Sequence, residues 1–293
     1  PAAAACLAAG DFDGDGRSDL LAATGDFWQG RLVIYSAKAD GYVETGVLDL
    51  GGSPLAMRVA DFGRGRMAAI VDRWQNAIRF ARWQDGKPAL LAEKIDLPER
   101  PALAAFGNPD GKDGEGVAVL CPQARKILIY DARERGLTLV REVALPTSGM
   151  WKSLHLANFF ADAEDAWAEI VLTHAGHVQP NTCSAPLTPA GDCLKNNMGI
   201  GSGAAQSAFI LRTDGAAEIL GLVSTLREAN FYLVSSRPAD ASVKYETIPL
   251  KINEPLLAMS AADLDGDQRD DAVFFFRHGL QVRLGRGMAT AIK

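Results

Sequence analysis

Two short segments concentrate the residues that could do chemistry. Asp11-Phe-Asp-Gly-Asp-Gly-Arg-Ser-Asp19 and Asp263-Leu-Asp-Gly-Asp-Gln-Arg-Asp-Asp271 each place carboxylates at positions 1, 3, 5 and 9 of a nine-residue stretch. With a main-chain carbonyl at position 7, this spacing converges oxygen ligands on one hard cation, by the logic of the first nine positions of an EF-hand loop. The expected ligands are Asp11, Asp13, Asp15, the carbonyl of Arg17 and Asp19 in the first loop. In the second they are Asp263, Asp265, Asp267, the carbonyl of Arg269 and Asp271. Four carboxylates so close repel one another unless a cation compensates them. A flexible, oxygen-only set suits calcium better than magnesium, which demands a strict octahedron, or zinc, which wants nitrogen or sulfur. Two calcium ions are therefore expected.

These loops belong to a repeat. The first copy runs from Cys6-Leu-Ala-Ala-Gly into the aspartate loop and out through Leu20-Leu, and the last runs from Met259-Ser-Ala-Ala to Ala272-Val. Weaker copies pass through Val59-Ala-Asp-Phe-Gly, Leu103-Ala-Ala-Phe-Gly, Leu154-His-Leu-Ala-Asn and Phe209-Ile-Leu-Arg-Thr-Asp-Gly. A period near 50 residues, each holding four short strands with turns such as Asp85-Gly86, describes a propeller blade. The expected fold is all-β: one propeller over residues 1–293, with six four-stranded blades, or seven as the alternative. The blades fall near 1–52, 53–98, 99–148, 149–205, 206–253 and 254–293, and residues 174–207 read as a long insertion in the fourth. Only the first and last loops keep the full acidic set. In the second, Asp61 stands alone and Arg64 or Arg66 is expected to replace the ion's charge.

If the first strand of a blade leads into the acidic loop, strand alternation sends the second-to-third-strand loops to the opposite face. The ligand-binding candidates there are Trp28 and Gln29, Arg73 and Trp74, Arg227, and Arg277 with His278. His174 and His177 join them from the insertion. Tryptophans flanked by amides and guanidinium groups suit a sugar ring or a peptide hot spot. The competing expectation for Trp28 and Trp74 is packing between blades, and packing is expected outright for Trp83, Trp151 and Trp167. No nucleophile elbow, P-loop, dinucleotide fingerprint or zinc-protease motif occurs, so an enzyme is the less favoured reading.

Cys183 and Cys193 lie ten apart in a Pro/Gly/Asn-rich stretch and are expected to form a disulfide, which points to an oxidising compartment. Cys6 and Cys121 sit in strand-like runs and read as small buried hydrophobes. The net charge of −6, with 30 basic residues scattered along the chain, argues against nucleic acid. No apolar run reaches membrane-spanning length, so direct membrane insertion is not expected. Pro-Ala-Ala-Ala-Ala at the start suggests a processed or excised piece of a longer chain.

The repeats resemble the FG-GAP/VCBS family, found in integrin α-subunit propellers and bacterial extracellular proteins. The resemblance is specific in the two aspartate loops and loose elsewhere: Phe62-Gly63 and Phe106-Gly107 occur without a following Gly-Ala-Pro. It implies structural calcium, ligands bound on the face away from the calcium loops, and a secreted, periplasmic or cell-surface location. The expected function is a calcium-braced module binding a glycan or a protein partner. The alternatives are a polysaccharide lyase or hydrolase acting near the propeller channel, and an architectural domain of a larger surface protein.

Overall fold

The structure is a computed structural model. It describes all residues except 1–3, 26–28, 109–114, 135, 146–150, 158–168, 175–180, 187–193, 197–204, 212–218, 225–229, 238–241, 250–255, 263–270, 277–278 and 284–293. Beyond residue 150, side chains are described at 154–156 alone. The chain forms two compact units: residues 1–109 with 113–148, and residues 110–112 with 149–293.

The first unit holds three antiparallel four-stranded sheets, each an up-and-down meander. Sheet one is β1 (Ala4–Gly10), β2 (Asp19–Thr24), β3 (Arg31–Lys38) and β4 (Gly41–Asp49). Sheet two is β5 (Pro54–Asp61), β6 (Arg66–Asp72), β7 (Ala77–Gln84) and β8 (Lys87–Asp96). Sheet three is β9 (Leu103–Gly107), β10 (Gly116–Cys121), β11 (Lys126–Arg133) and β12 (Gly136–Ala144).

Burial follows strand position. β6 and β10 are continuous apolar runs, Met67-Ala-Ala-Ile-Val and Val117-Ala-Val-Leu-Cys, and are buried on both faces. The outer β4 is mostly exposed, and β3 alternates residue by residue, as the period of two requires. On β6, Ala68 and Ile70 face a core shared with Leu21, Leu32 and Ile34 of sheet one. Met67, Ala69 and Val71 face a separate core with Val117, Val119 and Leu128 of sheet three. Sheet two thus packs between the other two.

The second unit contains a four-stranded sheet of β13 (Trp151–Ala157), β14 (Glu169–His174), β15 (Asn181–Pro186) and β16 (Leu194–Asn196). A second comprises β17 (Ala205–Leu211), β18 (Ile219–Ser224), β19 (Asn230–Arg237) and β20 (Ser242–Pro249). A third has three strands among the described residues: β21 (Leu256–Ala262), β22 (Asp271–Phe276) and β23 (Gly279–Arg283).

The expected insertion at 174–207 therefore contains two strands. β15 pairs with β14 from Glu169↔Pro186 to His174↔Asn181, and β16 pairs with β15. Its polar, proline-containing sequence shows little strand propensity. Pairing with β14 outweighs that, since strand propensity depends mainly on context. All the described secondary structure is strand, arranged as propeller-like antiparallel meanders, five of four strands and one of three among the described residues.

Candidate functional site

The β1–β2 loop holds the acidic cluster. Ligand oxygens of Asp11, Asp13 and Asp15 all lie within 4.8 Å of one another. Calcium–oxygen bonds of about 2.3–2.6 Å allow two ligands on opposite sides of an ion to be about 5 Å apart, so the cluster has the right size. The loop is shaped by its own side chains: Gly14 N–H donates to Asp11 Oδ1 (2.8 Å), Asp15 N–H to Asp13 Oδ1 (3.1 Å) and Arg17 N–H to Asp15 Oδ1 (2.9 Å). Gly14 and Gly16 take φ of 83° and 85°, which side chains with a Cβ rarely adopt. Ser36 on β3 donates to Asp13 Oδ2 (3.0 Å) and shares a hydrogen bond with Thr45 of β4, anchoring the loop to the outer strands.

Asp19, expected as a fourth ligand, points inward and is fully buried. Its Oδ2 accepts N–H bonds from Phe12 (2.9 Å) and Asp13 (3.1 Å), and its Oδ1 accepts one from Ala37 (3.2 Å). It fastens the loop to sheet one, while Asp11, Asp13 and Asp15 present the outward oxygens. Phe12 is buried beside it and meets Trp83 of sheet two edge-on at 6.1 Å, a contact that confirms Trp83 as a packing residue.

The corresponding loop of sheet two has changed chemistry. Asp61 Oδ1 accepts the N–H groups of Gly63 (2.8 Å) and Gly65 (3.0 Å), so this carboxylate closes its own turn. Met67, buried after the loop, occupies the place in the strand that Asp19 takes in sheet one. Neither arginine stands in for an ion at Asp61. Arg64 pairs with Glu93, and Arg66 reaches across to Asp11 of the first loop, contacting its carboxylate and, at 3.4 Å, its main-chain carbonyl. In the third sheet Glu115 pairs with Arg58 of β5 at 2.7 Å.

The other end of the same three sheets carries the β2–β3, β6–β7 and β10–β11 turns together with the links between sheets. A conserved geometry repeats there within the chain: Leu50 N–H donates to Gly30 O (2.7 Å), Leu97 to Asn76 O (2.7 Å) and Leu145 to Arg125 O (2.9 Å). All three leucines are buried. Asp72, fully buried at the end of β6, organises the second turn. Its Oδ1 accepts N–H bonds from Ser53 (3.0 Å), Trp74 (2.9 Å) and Gln75 (3.0 Å), and its Oδ2 lies 3.1 Å from Arg79. A Cβ on Gly52 would sit 1.8 Å from Asp72 Oδ2, so only glycine lets the link pass here. Glu99 does similar work in sheet three, accepting from Gln123 (2.7 Å) and Ala124 (3.1 Å).

On this braced turn Trp74 is 40% exposed, and the Arg100 guanidinium lies 5.6 Å from its ring centre. Arg73 donates to Ala102 O (2.9 Å); burial, then the neighbouring Arg100 charge, lowers its pKa. Gln29 is exposed. Of the other candidates, His174 ends β14 opposite Asn181. Trp28, His177, Arg227, Arg277 and His278 lie outside the described residues, as do Asp263, Asp265, Asp267, Arg269 and Cys193. Asp271 begins β22, and Cys183 lies on β15 across from Lys195. Cys6 and Cys121 are free thiols, Cys121 buried and Cys6 half-buried, and burial pushes both up to about 12.

Sequence reasoning missed Asp72, Glu99 and Arg100, and it placed Arg66 at its own loop, whereas Arg66 acts on Asp11 of the neighbouring sheet. The one available signal was the recurrence of a leucine after the fourth strand, at 50, 97 and 145.

Residues 7–35 match the FG-GAP repeat family, a segment that spans β1, the acidic loop, β2 and most of β3. No curated protein matches the sequence significantly. Among solved structures, a protein from Lactobacillus plantarum is similar with a TM-score of 0.64 and 12% identity over 95% of this chain and 80% of that one. Hydrazine synthase from Kuenenia stuttgartiensis matches with a TM-score of 0.64 and 12% identity over 99% of this chain and 79% of that one. A putative 6-phosphogluconolactonase from Bacteroides fragilis matches with a TM-score of 0.61 and 10% identity over 97% and 80%. At these identities the likeness is one of fold. The chain is thus propeller-like in fold, with one segment that matches an FG-GAP repeat.

Proposed function

We propose that the protein is an extracellular binding module, braced by calcium at the acidic loops, that recognises a glycan or protein partner on the face bearing Trp74. The observation that carries this reading is the exposed indole of Trp74 on a turn fixed by buried Asp72. An exposed aromatic on a flexible loop would lose entropy on binding; one already ordered loses little. Arg73, Arg100 and Gln75 surround it with donors suited to hydroxyls, carbonyls or carboxylates.

The three clustered carboxylates at Asp11, Asp13 and Asp15 support the first ion. The matching spacing at Asp263–Asp271 supports a second. Calcium there would neutralise the cluster and hold the loop; Ser36 and Asp19 already orient it, and recognition occurs at the other end of the strands. A disulfide between Cys183 and Cys193 would fit the same extracellular setting.

The test is binding to a glycan array and to candidate surface proteins, with wild type beside Trp74→Ala. The variant should lose at least tenfold in affinity for the partner, since interface tryptophans commonly contribute about 2 kcal/mol or more. A partner bound equally well by Trp74→Ala, with the variant's fold intact, would refute the assignment of this face.

A further inference from the structure

The second loop keeps only Asp61 of the acidic set, and Phe62 and Arg64 beside it border a cavity. Between sheets two and three a cleft of about 600 Å³ is lined by Phe62, Met67, Phe80, Leu91, Ile95 and Leu137. That volume lies in the range of small-molecule sites, about 300–1,000 Å³. Four of these side chains, Phe62, Met67, Phe80 and Leu137, are buried, so the floor is apolar. The rim is cationic: Arg64, Arg82 and Lys94 against Glu93.

Two of the three cations are already matched. Arg64 pairs with Glu93, and Lys94 with Asp96 at 2.6 Å. Arg82 is half-buried and donates to the main-chain carbonyl of Arg64, which fixes its guanidinium at the cleft; among the described residues it has no carboxylate partner. The cleft therefore carries one uncompensated, positioned guanidinium above an apolar floor. The mouth is built to stay close-set, since a Cβ on Gly63 would lie 1.7 Å from Arg133 O, and one on Gly136 would lie 3.3 Å from Arg64 Nε.

We infer that this cleft binds a small monocarboxylate with an apolar tail or ring, the carboxylate on Arg82 and the apolar part over Phe80, Leu91 and Ile95. A single guanidinium suits one carboxylate in bidentate geometry. The chain as a whole is acidic at −6, so a cationic cleft is not a by-product of general surface charge. The inference is independent of calcium and of the Trp74 face.

The experiment is calorimetric titration of the full chain with octanoate, kept below micellar concentration, with octan-1-ol as the uncharged probe and acetate as the probe without a tail. Octanoate should saturate one site, octan-1-ol should bind about tenfold or more weakly, and acetate should give no saturable signal, because both head and tail are required. Arg82→Gln should bring octanoate down to the affinity of octan-1-ol. Leu91→Trp, which fills the cleft, should abolish binding. Should Leu91→Trp fail to fold, the methyl resonances of Leu91 and Ile95 in the wild type supply the same readout and should shift with octanoate. Absence of saturable octanoate binding to wild type, equal affinity for octan-1-ol, undiminished binding by folded Leu91→Trp, or unmoved Leu91 and Ile95 methyls would each overturn the inference.

Discussion

If the acidic loop binds calcium as proposed, Arg66 competes with the ion for Asp11, and its replacement by glutamine should tighten calcium binding. The guanidinium of Arg66 rests on the Asp11 carboxylate, so an ion using that oxygen must displace the arginine or share the oxygen with it. The side chains are 52% and 17% exposed, which places the pair among partly solvated ion pairs. Such pairs contribute up to about 1 kcal/mol, and the shielding of Asp11 puts this one near that limit. About 1 kcal/mol corresponds to roughly a fivefold change in a dissociation constant. Removing a positive charge from beside a divalent ion acts in the same direction. Calcium titration by calorimetry should therefore show Arg66→Gln binding about fivefold more tightly than wild type, with the gap narrowing as salt screens the pair. Arg64→Gln is the matched control, because Arg64 pairs with Glu93 and not with the loop. Unchanged or weaker binding by Arg66→Gln would refute the competition, and a wild type that binds no calcium would refute the ion itself.

The remaining predictions concern stability. Asp19→Ala strips the acceptor from three backbone N–H groups, that of Phe12 in a buried bond and those of Asp13 and Ala37 in part-buried ones. At about 1–3 kcal/mol for a buried donor left unpaired, it should lower the unfolding free energy from urea titration by about 1–3 kcal/mol, even with a chelator present. His155 on β13 has a buried Nε2 with no hydrogen-bond partner among the described residues, and burial pushes its pKa down from 6.5 to about 4. The unfolded chain binds that proton more readily, so the stability due to neutral His155 is present above pH 6.5 and lost as pH falls toward 4. Denaturant melts of His155→Leu across that window should show a shallower acid dependence than wild type; an identical slope would remove His155 from the account.

Within the chain, what repeated was readable and what crossed between repeats was not. The acidic loop, the strand–loop–strand unit and the buried runs of β6 and β10 are local patterns, each written in consecutive residues. Asp19 was assigned to the loop, but its bonds to the backbone of Phe12, Asp13 and Ala37 were not foreseen. Spacing alone cannot distinguish a carboxylate turned toward an ion from one turned toward the backbone of Phe12, Asp13 and Ala37. Arg66 was expected to serve its own loop, yet Asp61 already closes that turn with the N–H groups of Gly63 and Gly65, which leaves the guanidinium to act on the neighbouring sheet. β15 and β16 were hidden because their sequence lacks an apolar rhythm, and their pairing with β14 is long-range information. Trp74 was left between packing and recognition, and its exposure at the end of the sheets was not legible in the sequence.

The odd and even residues of β6 serve different cores, and this has a consequence for how such a chain varies over time. Each sheet of the first unit is coupled to its immediate neighbour through a face, in the manner of a one-dimensional stack; the loop at the end of β5 joins that coupling through buried Phe62 against Phe106 and Gly63 against Arg133, while its tip at Arg64 and Gly65 stays exposed. The chemistry of the exposed tip can therefore vary without toppling the stack. A turn of aspartates and a turn of arginines can sit one repeat apart on the same scaffold, free to acquire unrelated ligands while the alternation of Ala68, Ala69, Ile70 and Val71 stays under constraint.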